Sequence, residues 1–185
     1  MVLRVFVALE VPDAIVDSLV DFQGALSKSG ADLKLVEREN LHFTIKFLGE
    51  IADSLVGDVK SRLAGVSLPG GKVAVTGAGA FPNVANPRVV WAGVPPQDEE
   101  KVALIARGVG SRLEGVGERA DKPFRAHITL ARVRSQRNSR QLGDLLRKEV
   151  GHAFGVADLK LLRLKSSVLS ASGPKYEDLG VYPLA

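Results

Sequence analysis

The spacing of hydrophobic and polar residues predicts an α+β chain with alternating strands and helices. Residues 2–9 alternate as in a strand, and a helical stripe follows that closes near Gly30: Ile15, Leu19, Phe22 and Leu26. Further along the chain, the same patterns predict strands at 33–36, 41–48, 72–79, 88–94 and 124–133, and two or three more in the last thirty residues. They predict helices at 52–64 and 138–150, and a helix that begins at Pro95. Proline and asparagine at 81–87 predict a loop. The later helical stripes are Leu55, Val59 and Leu63, then Val102, Ile105, Val109 and Leu113, then Leu142, Leu145 and Leu146.

One strand pattern occurs twice. His42-Phe43-Thr44-Ile45 and His127-Ile128-Thr129-Leu130 lie 85 residues apart, and the chain has only three histidines and three threonines. A single copy would indicate little, because threonine is favoured on half-buried strands. The matched pair indicates a duplicated site. Alternation predicts that His42, Thr44 and Lys46 share one strand face, and that Arg125, His127 and Thr129 share another.

The repeated rhythm of elements predicts one domain, 1–185, built from two pseudo-symmetric lobes. We expect two mainly antiparallel sheets with outer helices around a central cleft, and each lobe would contribute one His-x-Thr strand to that cleft. Gly77 to Ala80, which follow a strand, are expected to form a bulge or turn.

Composition excludes several classes of protein. There are no cysteines, which excludes disulfides and thiolate metal sites, and 25% of the residues are charged, as in ordinary globular domains. The apolar N-terminus is too short for a signal peptide, and no run reaches membrane-spanning length. We therefore expect a cytoplasmic protein that does not contact membranes.

Positive charge is concentrated in one segment. Residues 122–148 contain eight lysines and arginines, beginning with Lys122, against Asp144 alone, whereas the whole chain carries a net charge of +4. Such a segment next to the second motif favours binding of a polyanion. The alternative is a solvated face of a surface helix.

Two facing imidazoles suit in-line displacement at phosphorus. A neutral histidine takes a proton from the attacking oxygen and a protonated one gives a proton to the leaving oxygen, while threonine hydroxyls hold the non-bridging oxygens. Lys46 or Arg125 would offset charge on the phosphate. This chemistry needs no metal or cofactor, and two histidines without a local carboxylate or cysteine make a poor zinc set. The chain has no phosphate-binding P-loop or Gly-x-Ser-x-Gly elbow, and His152 lacks the threonine partner, so we expect a surface or structural role for it.

The two motifs resemble the paired His-x-Thr-x motifs of the 2H phosphoesterase superfamily. Within it the chain is similar to the RNA 2′,3′-cyclic phosphodiesterases, also called 2′-5′ RNA ligases. The similarity extends over 4–9, 41–49, 81–82, 87–93, 124–133 and 173–176. Ala126 departs from the family, whose members often have proline before the second histidine.

The resemblance implies a bilobal fold and metal-independent hydrolysis of 2′,3′-cyclic phosphate ends of RNA, or of cyclic nucleotides, to 2′-phosphates. It implies His42 as proton donor, His127 as proton acceptor, and Thr44 and Thr129 as phosphate ligands. ATP-independent 2′-5′ joining would follow with an RNA 5′-hydroxyl in place of water. Lys46, Arg125 and Tyr176 are further expected substrate contacts, and we expect a monomer. Two alternatives remain: a non-catalytic nucleotide or RNA-end binding module, and a phosphodiesterase for another small ester such as a 2′-5′ oligoadenylate or an ADP-ribose cyclic phosphate.

Overall fold

Strands and helices alternate along the chain largely as predicted. The computed structural model describes residues 2–118, 123–170 and 173–185. The strands are β1 (Val2–Glu10), β2 (Leu33–Leu35), β3 (His42–Ala52), β4 (Gly71–Thr76), β5 (Ala78–Asn83), β6 (Asn86–Gly93), β7 (His127–Val133), β8 (Ala153–Leu159), β9 (Leu161–Ser170) and β10 (Gly173–Pro183). The helices are α1 (Asp13–Lys28), α2 (Val56–Ala64), α3 (Pro96–Arg112) and α4 (Ser139–Lys148), with short 3-10 helices at Arg38–Asn40 and Asp53–Leu55.

The strands form two antiparallel sheets. The larger sheet has the order β10-β9-β1-β3-β7-β6-β5, and β2 also pairs with β7. The smaller sheet consists of β4 and β8. Helix α1 packs against strands β7 and β8, helix α3 packs against β3, and helix α4 packs against β5 and β6. The predicted α+β class, with two mainly antiparallel sheets and outer helices, is confirmed. The motif strands β3 and β7 are neighbours in the centre of the larger sheet.

Apolar stripes on the helices supply much of the core. The predicted stripe of α1 is buried, and so is the stripe of α3. The stripe predicted for residues 52–64 is partly wrong, because Leu55 is 44% exposed and ends the 3-10 helix that precedes α2. Val56 is buried beside Val59 and Leu63 instead. Within the described ranges, no helix is both long and apolar enough to cross a membrane.

The loop predicted for 81–87 is mostly a hairpin. Strand β5 continues to Asn83, and β6 starts at Asn86. The Asn83 side chain closes the turn, because its Oδ1 accepts hydrogen bonds from the backbone N–H groups of Ala85 (3.0 Å) and Asn86 (2.9 Å). The prolines are tolerated because β5 is an edge strand and Pro87 lies at the start of β6, where few ladder donors are needed. Gly77, at φ 81°, separates β4 from β5, whereas Ala78 to Ala80, which were also expected to form a bulge or turn, belong to strand β5.

A bulge in β7 changes which residues of that strand face the cleft. The register with β6 shifts after Thr129, so that Ala131 pairs with Val90 and Leu130 is the additional residue. The buried side chain of Gln23 in α1 donates hydrogen bonds to the carbonyl oxygens of Leu130 and Val36, both at 2.8 Å. The Leu130 carbonyl oxygen also accepts from the backbone N–H of Val36 at 2.9 Å, so Gln23 supplies a second hydrogen bond at the bulge beside the second motif and stabilises it.

Replacing Gln23 by leucine should therefore destabilise the fold. The change keeps side-chain size but removes both hydrogen bonds, and we expect the free energy of unfolding to fall by about 1–3 kcal/mol, since each bond contributes about 0.5–1.5 kcal/mol. Urea denaturation measures it. The matched control is Gln141→Leu on the exposed side of α4. Equal stabilities of the two variants would contradict this role for Gln23.

Candidate active site

The two motif strands meet at one buried residue pair. Phe43 of β3 pairs with Ile128 of β7 in antiparallel orientation, and both side chains are fully buried. Because side chains alternate along a strand, the residues on either side of this pair face away from the core. Antiparallel register then places His42 across from Thr129, and Thr44 across from His127. One contact thus assembles two His-x-Thr pairs on a single sheet face.

All seven predicted site residues line one open cleft. Its volume is about 650 Å³, and it contains His42, Thr44, Lys46, Arg125, His127, Thr129 and Tyr176. Sequence reasoning missed further lining residues, among them Phe6, Lys34, Glu37, Asn40, Phe47, Phe81 and Arg132. The only sequence signal near them is the alternation of polar and apolar residues around the motifs. It does not identify most of them, because they lie on other strands or after bulges.

His42 is held in one orientation by both ring nitrogens. Its Nδ1 lies 2.7 Å from the Asn40 carbonyl oxygen, which only accepts, so Nδ1 carries the proton. Its Nε2 accepts from the Thr44 hydroxyl at 2.9 Å. Phe6 packs on the ring with centroids 5.1 Å apart. Burial lowers the pKa of His42 to about 4 against the opposing effect of the Asn40 bond, and nearby Lys165 and His127 lower it further. His42 is therefore neutral at pH 7.

His127 has the same anchor. Its Nδ1 donates to the carbonyl oxygen of Arg125 at 2.7 Å, which leaves Nε2 as the unprotonated nitrogen of the neutral ring. Phe81 meets this ring edge-on at 5.0 Å. Burial lowers the pKa of His127 below its usual 6.5, the Arg125 charge adds to the decrease, and the bond to the Arg125 carbonyl opposes it. The chain thus holds two neutral imidazoles whose Nε2 atoms are basic.

Asn40 connects His42 to the C-terminal hairpin. The buried Asn40 side chain donates to the Pro174 carbonyl oxygen at 3.1 Å, while its own carbonyl accepts from His42. Two residues after Pro174, the ring of Tyr176 lies 5.7 Å from that of His42 and 4.9 Å from that of Phe6. Burial raises the pKa of Tyr176, so its phenol is a hydrogen-bond donor at neutral pH.

The cations of the cleft differ in their partners. Arg125 Nε lies 3.1 Å from Glu99 Oε1. Arg125 lines the cleft together with His127 and Thr129, although it precedes β7, which begins at His127 and not at the predicted residue 124. Arg132 was not predicted, since strict alternation places it opposite Thr129, and the bulge at Leu130 brings it to the cleft face. Within the part of the chain that the structure describes, Lys46 and Arg132 have no carboxylate partner.

Only part of the basic segment reaches the cleft. Arg125 and Arg132 line it, whereas Arg140 and Arg147 lie on α4, which packs against β5 and β6. Lys122 lies outside the described residues. Binding of a polyanion by this segment stays a prediction.

His152 lies away from the cleft. Its ring packs between Phe22 and Phe154, and its Nδ1 lies 2.8 Å from Glu149 Oε2. Among the described residues, no group of three or more His, Asp or Glu is placed to hold a metal ion.

Comparison with known proteins identifies the class. The model of the family "LigT like Phosphoesterase" matches residues 9–91 and again 93–176, and each match contains one His-x-Thr motif. The chain is 38% identical to the RNA 2′,3′-cyclic phosphodiesterase of Archaeoglobus fulgidus, over 97% of this chain and 99% of that one. This chain therefore belongs to the LigT-like phosphoesterase family, and the expectations of a 2H phosphoesterase and of a phosphodiesterase enzyme are confirmed.

Solved structures show the same fold. TT0787 of Thermus thermophilus aligns with a TM-score of 0.79 at 28% identity, covering 98% of this chain and 97% of that one. E. coli LigT, crystallised with 3′-AMP, aligns with a TM-score of 0.77 at 21% identity, covering 100% of this chain and 99% of that one. The second similarity concerns the fold alone.

The protonation of His42 is directly measurable. We expect its ring resonances in the NMR spectrum, assigned with His42→Asn, to titrate with a midpoint near pH 4, because burial disfavours the charged form. Addition of inorganic phosphate should raise the midpoint, since a bound anion favours the imidazolium. A midpoint at or above 6.5 in the free protein would contradict the neutral imidazole described above.

Proposed function

We propose that this phosphoesterase hydrolyses 2′,3′-cyclic phosphates, at RNA ends or on nucleosides, to 2′-phosphates. The observation that carries the proposal is the pair of neutral, Nδ1-anchored imidazoles, His42 and His127, each with a threonine on the same face of adjacent antiparallel strands. The relatives named RNA 2′,3′-cyclic phosphodiesterase support the choice of substrate.

In the proposed reaction, His127 is the base. Its unprotonated Nε2 takes a proton from water as the water oxygen forms a bond to phosphorus. The bond from phosphorus to the 3′ oxygen breaks, and His42 gives its Nε2 proton to that oxygen. The products are a 2′-phosphate and a 3′-hydroxyl. His127 has gained a proton from water, and His42 has lost one to the 3′ oxygen. Thr44 and Thr129 donate to the non-bridging oxygens, where negative charge accumulates.

In this mechanism, His42 becomes protonated only when the substrate is bound. In the free protein burial holds the pKa of His42 near 4, and its Nε2 accepts from Thr44. A phosphate anion between the strands would stabilise the imidazolium and attract the Thr44 hydroxyl as a donor. When the substrate binds, Nε2 of His42 therefore gains a proton, and the Thr44 hydroxyl donates to the phosphate instead of to Nε2.

The alternatives make different predictions. A binding module would not need two proton-transfer groups, and it would not turn over a 2′,3′-cyclic mononucleotide. A phosphodiesterase for another ester would prefer a 2′-5′ oligoadenylate or an ADP-ribose cyclic phosphate in a side-by-side panel. The proposed mechanism also allows a joining reaction, in which an RNA 5′-hydroxyl replaces water, the same bond to the 3′ oxygen breaks, and a 2′-5′ linkage forms without ATP. Product analysis with 5′-hydroxyl RNA tests this joining.

Substitution of either histidine should reduce turnover strongly. His42→Ala and His127→Ala should each lower kcat for a cyclic mononucleotide by about a hundredfold to ten-thousandfold, the usual contribution of general acid–base catalysis. The profile of kcat/KM against pH should be bell-shaped, since the active form holds one proton on the pair. Because burial lowers the pKa of both histidines, its maximum should lie below pH 6.5.

The two roles can be separated with a modified leaving group. In a substrate with sulfur at the 3′ position, the departing thiolate needs no proton, so His42→Ala should recover most of its activity while His127→Ala should not. Recovery of His127→Ala alone would reverse the assignment, and near-normal activity of both variants on the oxygen substrate would exclude the mechanism. His152→Ala is the control, and excess chelator should leave the wild-type rate unchanged.

The threonines test the phosphate-binding geometry. Thr44→Val and Thr129→Val keep side-chain shape but lose the hydroxyl, and each should slow turnover by about ten- to a thousandfold, as for loss of one transition-state donor. Thr44→Ser and Thr129→Ser keep the donor and should be much milder. If the threonines only favour the strand conformation, the order reverses, because valine is the better strand former. Rates of the four variants on one substrate distinguish these outcomes.

A further inference from the structure

An aromatic side chain without a role in the chemistry above lies exposed in the cleft. Phe47 of β3 is 59% exposed, although it lines the same cavity as His42 and Thr44. Its ring lies 6.0 Å from that of the buried Phe6, which in turn packs on His42. One face of the cleft therefore carries an exposed apolar ring supported by a buried one.

A bulge places Phe47 on this face. Alternation from Thr44 would point a residue three positions later to the opposite side of β3. The register with β1 shifts between Ala8, which pairs with Thr44, and Val7, which pairs with Lys46. Phe47 consequently pairs with Phe6 and lies on the side of the catalytic pair. The bulge leaves this large ring exposed to water and not buried in the core. That exposure is unfavourable, and another aromatic ring stacked on Phe47 would relieve it.

A cation lies between Phe47 and the motif. Lys46 lines the cleft and has no carboxylate partner in the described ranges. The bulge at Ile45 shortens this part of β3, because Thr44, Lys46 and Phe47 pair with Ala8, Val7 and Phe6 in turn. Phe47 therefore lies about 7 Å from Thr44 along the strand. This order of phosphate ligand, cation and exposed ring follows the alternation of phosphates and bases along a single-stranded RNA.

We propose that Lys46 and Phe47 form a subsite for the nucleotide that precedes the cyclic end of an RNA. The ring of Phe47 stacks on the second nucleobase, and the Lys46 ammonium contacts the phosphodiester that joins the last two nucleotides. The terminal base lies on the other side of Phe6, beside Tyr176, whose ring is 5.7 Å from that of His42. This subsite rests on the proposed function, and it makes the enzyme prefer an RNA end to a mononucleotide.

The test compares a dinucleotide with a mononucleotide that has the same terminal cyclic nucleoside. The measured quantity is the ratio of the two kcat/KM values. Phe47→Ala and Phe47→Leu should lower this ratio about tenfold or more, in line with the contribution of one stacked base, while Phe47→Trp should retain it. A dinucleotide that lacks the second base should give the low ratio with the wild type. Leu55→Ala, which removes an exposed apolar side chain outside the cleft, is the control.

Binding measurements separate this subsite from the catalytic proposal. Titration with a dinucleotide 2′-phosphate and with the mononucleotide 2′-phosphate gives a ratio of Kd values that needs no turnover. Phe47→Ala should lower the preference for the dinucleotide, and Lys46→Gln should reduce the slope of log K against log salt by about 0.7 for the dinucleotide. Absence of turnover with an intact Kd ratio would refute the catalytic proposal alone. Ratios of Phe47→Ala equal to those of the wild type would overturn the subsite.

Discussion

The pairing of Phe43 with Ile128 is the contact on which the site depends. Both side chains are fully buried, so their burial fixes which face of β3 and β7 points to the core. A slip of one residue in either strand would bury one histidine and threonine and expose apolar side chains, at a cost of several kcal/mol in lost burial. The hydrophobic core thus sets the position of polar groups that do not belong to it. A duplicated strand motif becomes one site because the two copies share this contact.

Burial and backbone hydrogen bonding act together on the two histidines. Each ring is covered by an aromatic side chain, Phe6 at His42 and Phe81 at His127, and each gives its Nδ1 proton to a backbone carbonyl two residues earlier. Burial therefore lowers both pKa values, while the backbone bonds fix which nitrogen is basic. At neutral pH, such a site acquires positive charge only when an anion offsets the cost of burial. Under the mechanism proposed above, protonation of the site is coupled to occupancy by phosphate.

Strand periodicity predicted the elements, the α+β class and the motif strands, because alternation and helical stripes reflect burial directly. It failed where β7 bulges, since one extra residue reverses the facing of all later ones. Arg132 was missed for this reason, and Phe47 has its position on the cleft face from the corresponding shift in β3. Contacts from distant segments, such as Asn40 with Pro174, left no signal in local pattern. Tyr176 was reached only through family resemblance.

The duplicated motif strands each carry a cation in the cleft as well as a histidine and a threonine. Several cleft cations lie close to carboxylates that are half-buried or exposed: Arg125 to Glu99, Arg107 to Glu100 and Lys34 to Glu37. Such exposed ion pairs contribute about 0–1 kcal/mol, so they neutralise charge without fixing it strongly. Lys46 follows Thr44 by two residues and Arg132 follows Thr129 by three, and neither has a carboxylate partner in the described ranges. Each motif strand thus supplies an imidazole, a hydroxyl and an uncompensated cation to the same space. Under the proposed function, a phosphate bound there would meet positive charge from both strands, and this local charge would act on it at shorter range than the rest of the basic segment.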